Sequence, residues 1–351
     1  SLLLSAINVN LTGLVPVDNS LKMRLGSVQQ KIPCVFVTEV KQEPSRKRDC
    51  QQFQVVATES VSPVAVVAQV HHAVATEKLD GTCCYVSVYK GRPHLWARLD
   101  RKPNKQADKR FKKHQRSHHS CKGFLWSVEE DFKPVPETWV PALGVKHHSG
   151  QPVPDEHGHI PGWVPVEKDN KQYCWHASVL DPDLRAALVL RPSAEDGDAL
   201  EVVPLPLADL LERTLELIGT NVNGNPYGLG SKKTPVHLLV SHGALRIRDP
   251  PPVDFQQLCS WFRESPEGRV EGIVWHCHDG TLFKVHRHHL GLRWPEGDPS
   301  LGERAVVVAV GSGDNVFRSG GGVVVRKDSF ALFSALSGRR FSRLMDITFT
   351  L

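Results

Sequence analysis

Glu271-Gly272-Ile273-Val274-Trp275-His276-Cys277-His278-Asp279-Gly280-Thr281-Leu282-Phe283-Lys284-Val285-His286 is the stretch on which the fold turns. Two runs rich in β-branched and aromatic residues flank Asp279-Gly280, a dipeptide that tolerates positive φ and reads as a hairpin turn. A two-residue loop puts Trp275 opposite Lys284 and Glu271 opposite His288. Because side chains alternate along a strand, that register gathers Glu271, Ile273, Trp275, Lys284, His286 and His288 on one face. A carboxylate and a lysine then lie about 13 Å apart at ~3.3 Å per residue, wide enough to bracket a nucleotide and its metal. An exposed sheet face with ordinary charges would show the same pattern.

Outward from this hairpin the chain is mostly short β-like runs broken by turns. Pro33–Val40, Phe53–Thr58, Tyr173–His176 and Ala186–Leu190 read as strands. Thr82–Tyr89 and His94–Arg98 form a second hairpin about Lys90-Gly91-Arg92-Pro93. Residues 134–165, rich in Pro, Gly and His, read as irregular connections. Leu207, Leu210, Leu211, Thr214, Leu215 and Ile218 recur at helical spacing, although the end of that run equally suits a strand. Ala305–Val310 and Val323–Val325 flank a Gly-rich link, and Phe330–Ser337 suggests a last short helix. The expected class is α+β with mostly antiparallel sheet.

At 351 residues, 40% hydrophobic and 23% charged, the chain has the composition of an ordinary globular protein, which excludes collagen, coiled coil and disorder throughout. No apolar run approaches the ~20 residues of a membrane helix. Eight cysteines without a CxxC pair do not make a disulfide framework. Cys34, Cys83, Cys84, Cys174 and Cys277 are expected to be reduced core residues of an intracellular protein, cytoplasmic or nuclear. The net charge of +5 is mild, but its distribution is not. Arg101, Lys102, Lys105, Lys109, Arg110, Lys112, Lys113, Arg116 and Lys122 face the single acid Asp108, a local net of +8 that suits a polyanion. Residues 1–22 lack the basic start of a secretory signal and read as a tag remnant or disordered extension.

Gly228-Leu229-Gly230-Ser231-Lys232 does not satisfy the P-loop pattern, and neither GxGxxG nor GxSxG stands in the right context. Glu77-Lys78-Leu79-Asp80-Gly81 carries more chemistry. A lysine with pKa near 10.4 is only about a thousandth uncharged at neutral pH. A pocket or a neighbouring cation that lowers this value makes it a nucleophile able to hold a covalent intermediate. Alone, KxDG arises by chance and reads as a solvated turn. Cys174-Trp175-His176, His276-Cys277-His278 and His286/His288/His289 offer zinc ligands by type, without finger spacing. Alternation also sends His276 to the face opposite His286.

In chain order, Lys78-x-Asp80-Gly81, Arg98, Glu216 in Leu-Glu-Leu-Ile-Gly, Glu271-Gly-Ile-Val and Lys284 resemble the covalent nucleotidyltransferase superfamily of ATP-dependent ligases and capping enzymes. Thr76-Glu-Lys-Leu-Asp-Gly-Thr-Cys-Cys-Tyr-Val, Asn225-Pro-Tyr-Gly-Leu-Gly-Ser-Lys-Lys and Lys284-Val-His-Arg-His-His-Leu-Gly look more specifically like the vertebrate 5′–3′ RNA ligases. The resemblance covers roughly Met23 to Trp294 and fades in the tail.

That resemblance implies an ATP-grasp-like nucleotidyltransferase fold with flanking helices over residues 23–294, a basic insertion at 101–122, and a small extension over 295–351. It also implies roles. Lys78 attacks the α-phosphate of ATP and carries AMP. Glu77, Asp80 and Gly81 border the nucleotide, Glu77 reading adenine. Arg98 holds the sugar or terminal nucleotide, Glu216 the ribose and Lys284 the α-phosphate. Glu271 is the acid linked to Mg2+, for which Mn2+ can substitute. Arg101, Lys102, Lys105, Lys109, Arg110, Lys112 and Lys113 would meet RNA bearing 5′-phosphate and 3′-hydroxyl ends, with no membrane or obligate protein partner. Two departures stand out: Lys284-Val285-His286 replaces the Lys-x-Lys common in RNA ligases, and the tail is short for a complete C-terminal oligonucleotide-binding domain.

Overall fold

The structure is a computed structural model that describes residues 25–47, 51–311, 316–319, 322–325 and 327–349. The proposed extension at 1–22 lies outside the described residues. Strands β1 (Phe36–Lys41) and β2 (Gln54–Val61) pair with each other. β3 (Val74–Lys78), β4 (Thr82–Tyr89) and β5 (Arg92–Arg98) follow, then helix α1 (Lys105–His118) and β6 (Gly162–Pro165). β7 (Ala186–Pro192), β8 (Leu200–Pro206), β9 (Thr214–Gly219) and β10 (His237–Ser241) lead to α2 (Phe255–Glu264). β11 (Gly272–His276), β12 (Leu282–His286), β13 (Val306–Val308), α3 (Ser329–Ala335) and β14 (Arg340–Phe341) complete the main elements.

One large sheet runs in the order β14-β13-β8-β7-β10-β9-β4-β5-β6, continued by Val140–Pro141, while β12-β11-β3 form a separate three-stranded sheet. Only the β7/β10 and β8/β13 pairings of these sheets are parallel, so the expected α+β class with mostly antiparallel sheet holds. The largest core packs the inner face of the large sheet, including Leu188, Leu217 and Leu239, against Phe330 and Phe333 of α3. A second core joins Ile273, Trp275, Phe283 and Val285 of the small sheet to Leu258 and Phe262 of α2.

Several local expectations change. Tyr173–His176 is not a strand but a 3-10 turn (Lys171–Tyr173) running into a helical turn (Cys174–Ala177). Asn170 starts it by accepting from the Gln172 amide at 3.0 Å, and a local cap of this kind outweighs a four-residue alternation. Cys174 is exposed there, not in the core, and the other cysteines named above are free thiols. The helical spacing after Leu207 yields only a 3-10 turn to Leu210 before β9 takes over. The β4–β5 hairpin closes on Lys90-Gly91 alone, both at positive φ, with Tyr89 opposite Arg92.

Candidate active site

β3 ends at Lys78 in the small sheet and β4 begins at Thr82 in the large one, so Leu79-Asp80-Gly81 bridges the two. Asp80 is clamped from three distant places. Its carboxylate accepts from Trp294 Nε1 and Asn223 Nδ2, each at 2.8 Å, and its amide donates to Tyr227 Oη at 2.8 Å. A Cβ at Gly81 would run into the Leu217 carbonyl, so this close approach to β9 requires glycine. The lysine is therefore presented by a rigid crossing.

The register of the second hairpin is one residue from expectation. Cys277 donates to the Thr281 carbonyl and Gly280, at φ +84°, donates back to Cys277, so the loop has three residues. Val274, not Trp275, faces Lys284, and Gly272 faces His286. A one-residue slip exchanges the two faces of a strand. Ile273 and Trp275 accordingly belong to the second core, while His276 joins Lys284 and His286 on the opposite face, correcting both face assignments. Glu271 stands just before β11, where its carbonyl accepts from Arg287. Its carboxylate receives Lys78 Nζ at 2.7 Å and His286 Nε2 at 2.5 Å. The His288 amide donates to His286 Nδ1, which leaves the ring proton on Nε2, aimed at Glu271.

A cavity of about 330 Å³ opens between the two sheets. Thr76, Lys78, His276 and Lys284 line it from the small sheet; Cys83, Arg98 and Glu216 line it from the large one. Burial alone would lower the Lys78 amine, but Glu271, with Glu216 and Asp80, holds it above its ordinary value. Burial likewise opposes ionisation of Glu271, yet Lys78 and His286 hold its carboxyl down to about 2. For Lys284 the pull of Glu271 is outweighed: burial and the charges of Lys78, Lys47 and Lys31 push it down to about 7. Burial keeps His286 neutral, at about 4, so it does not replace the second lysine of Lys-x-Lys as a cation at neutral pH. Lys78, Lys47 and Lys31 all raise the cost of charging Lys284, and an anionic guest beside Lys284 would relieve it.

Across the cavity, Arg98 donates to Asp100 at 2.7 Å and lies over the Trp163 ring at 4.6 Å, with its Nη1 buried and unpartnered. Glu216 accepts from His242 Nε2 at 2.7 Å, while His242 Nδ1 meets Thr214 Oγ1 at 2.8 Å. Cys83, Glu216 and His242 present ligand atoms within 4.8 Å of one another, but the His–Glu–Thr chain already satisfies the ring. Glu77 pairs with Ile273, on the face away from Lys78; among the described residues its Oε1 has no hydrogen-bond partner, and burial pushes the carboxyl up to about 8 against the opposing charge of Arg304.

The basic segment forms α1. Asn104 caps it by accepting from Ala107 at 2.9 Å, and Phe111 anchors it against Phe124 and Trp126. At 3.6 residues per turn, Lys105, Lys109, Lys112, Lys113 and Arg116 fall on the face opposite Ala107 and Phe111. Arg110 pairs with Asp131 and Lys112 with Asp108, so two expected RNA contacts are engaged within the fold. Lys102, just before α1, lines the cavity itself. Residues missed in the sequence are Lys31, Lys47 and His242, which come from outside the motifs and are gathered only by topology, while His276, named there only as a ligand type, lines the cavity.

Fold and cavity define a mixed α/β protein with a highly charged cleft between a large, mostly antiparallel sheet and a three-stranded antiparallel one. The family model for RNA ligase 1 matches residues 22–350. A protein named RNA ligase 1 from Danio rerio is 65% identical over 93% of this chain and 99% of its own length. Those from Mus musculus and Pongo abelii are 57% and 56% identical, over 92% and 93% of this chain and 98% and 99% of their own lengths. The chain belongs to the RNA ligase 1 family.

Proposed function

We propose that this protein is an ATP-dependent RNA ligase on a nucleotidyltransferase fold, joining 5′-phosphate to 3′-hydroxyl ends in RNA repair. The observation that carries the reading is the Lys78–Glu271 ion pair, 2.7 Å long, whose lysine lines a cavity together with Lys284, held near pKa 7. Lys78 first loses its proton, which Glu271, near pKa 2, is too weak a base to keep and which passes to water. Its Nζ then forms a bond to the α-phosphorus as pyrophosphate departs, leaving a lysyl-AMP phosphoramidate. The RNA 5′-phosphate displaces Lys78, giving an RNA-adenylate. The 3′-hydroxyl then attacks that 5′-phosphate and AMP leaves.

Such chemistry needs mainly positioning and charge neutralisation. Lys284, which takes a proton from solvent when an anionic phosphate sits beside it, and the open donor of Arg98 supply both. Mg2+, or Mn2+ in its place, would neutralise phosphate charge when bound, and the ionised Glu271 carboxylate suits a hard cation. α1 offers sequence-independent attraction for the RNA backbone.

GTP-dependent capping, DNA joining or RNA binding without catalysis are the competing readings. Intact-mass measurement after incubation with ATP or GTP and Mg2+ separates capping and binding without catalysis from ligation, and sealing of RNA against DNA ends separates the two ligations. One added AMP on the native chain and none on Lys78→Ala is expected; no covalent nucleotide at all would leave only the binding reading.

A further inference from the structure

The segment ahead of β1 crosses the cleft between the two sheets. At one end it is tied to the large sheet: the Val28 amide donates to Thr214 Oγ1 at 2.8 Å, and Gln29 Oε1 accepts from Trp163 Nε1 at 3.0 Å. At the other it is tied to the small sheet, where the Lys284 amide donates to the Pro33 carbonyl at 2.9 Å and the Val35 amide donates to the Lys284 carbonyl at 2.8 Å. Lys31 stands midway between Gln29 and Pro33 and lines the cavity together with Val28, Gln30 and Ile32. Two of the other cations there already have carboxylate partners. Lys78 pairs with Glu271, which Lys47 also approaches at 3.9 Å, and Arg98 pairs with Asp100. Among the described residues the Lys31 ammonium has neither an ion pair nor a hydrogen bond. Its charge is felt by both Lys284 and His159, two further residues of the cavity wall.

We propose that Lys31 is a phosphate-binding residue of this cavity, carried on a strap that both sheets hold. The assignment rests on the adenylation reading above, which brings two phosphate-bearing molecules to the cavity, ATP and the 5′ end of RNA. A backbone tied on both sides fixes where Lys31 starts, while its flexible four-carbon stem lets the ammonium follow its anion. In the empty cavity Lys31 and Lys284 repel one another. A phosphate that meets both replaces that repulsion with two attractions, so the cost of holding the pair together is recovered only when the anion arrives.

The test uses the full chain with Lys31→Arg, Lys31→Ala and Lys31→Glu. Each is titrated calorimetrically with α,β-methylene-ATP, which cannot release pyrophosphate, and with a short RNA bearing either a 5′-phosphate or a 5′-hydroxyl. Affinity for a phosphate-bearing ligand should follow the charge at position 31: near native with arginine, about tenfold weaker with alanine and weaker again with glutamate. A change in the analogue assigns the polyphosphate of ATP to Lys31, and loss of the preference for 5′-phosphate over 5′-hydroxyl assigns the RNA end. Native affinity for every ligand in Lys31→Glu would overturn the proposal. So would equal weakening by all three substitutions, arginine included, which would make Lys31 a tie in the strap. Weaker binding of both RNAs alike, with the analogue unaffected, would place the contact outside the cavity and overturn it too. A native chain that binds the analogue through Lys31 yet forms no enzyme–AMP would overturn the adenylation reading alone and leave the phosphate site standing.

Discussion

Lysines do opposite work in two regions of this molecule. On the small sheet, Lys78 and Lys284 are withdrawn from water, and their proton affinities are set by neighbours. On α1, Lys105, Lys109, Lys113 and Arg116 stand in solvent on one face of a helix held by Phe111. Buried charges interact strongly and in one geometry, whereas exposed ones are screened within about 10 Å at ordinary salt. The first region is thus suited to bond making and the second to gathering a polyanion.

The sharpest break would come at Lys78. Lys78→Ala should abolish nucleotide attachment, and Lys78→Arg should fail as well because guanidinium stays protonated. Labelled ATP and gel autoradiography read this directly, and any retained label would move the nucleophile elsewhere. Next come Glu271→Gln and Lys284→Ala, each expected to slow adenylation by ~10²–10³, or ~3–4 kcal/mol, with melting curves showing a folded chain. Folded variants that adenylate normally would erase the distinction between the regions.

A subtler effect concerns pH. Lys284 is depressed to about 7, so above that pH it is mostly neutral in the empty cavity and must gain a proton to meet phosphate. ATP affinity should therefore fall as pH rises from about 7 towards the ordinary lysine value, by at most about tenfold per unit. Calorimetry in buffers of different ionisation heat should show proton uptake near pH 8. Uptake that persists unchanged in Lys284→Arg would assign it to another group.

The smallest effects belong to α1. Reversing Lys105, Lys109, Lys113 and Arg116 to glutamate should weaken RNA binding at low salt while sparing self-adenylation. Each lost phosphate contact flattens the log–log salt slope by ~0.7 for single strands. Filter binding across a salt series measures this. Equal RNA affinity would make α1 a solvated helix, and lost adenylation in a folded variant would tie it to the nucleotide cavity.

Much of this was legible because strands announce themselves by composition. β4, β5, β7, β11 and β12 all stand where alternating or β-branched runs place them. The register of β11 on β12 was not, since a three-residue loop ending in Gly280 and a two-residue loop share the Asp-Gly signal. A single residue of slip moved Trp275 into the core and His276 towards the cavity. The helix α1 is hard to read from the sequence because its apolar face is only Ala107 and Phe111; the aromatic partners Phe124 and Trp126 lie beyond its end. Lys47 had no local signal at all, because its meaning comes from Glu271, far along the chain.

The Lys78–Glu271 contact joins residues 193 positions apart. During synthesis from the N-terminus, β3 is complete long before β11 and β12 exist. Until both have emerged, the edge of β3 that β11 covers and the ammonium of Lys78 must wait without their partners, and contacts of such sequence separation close slowly. The chemistry of the small sheet is thereby withheld from nascent chains: a ribosome-bound fragment ending before Glu271 carries the lysine but not the pocket.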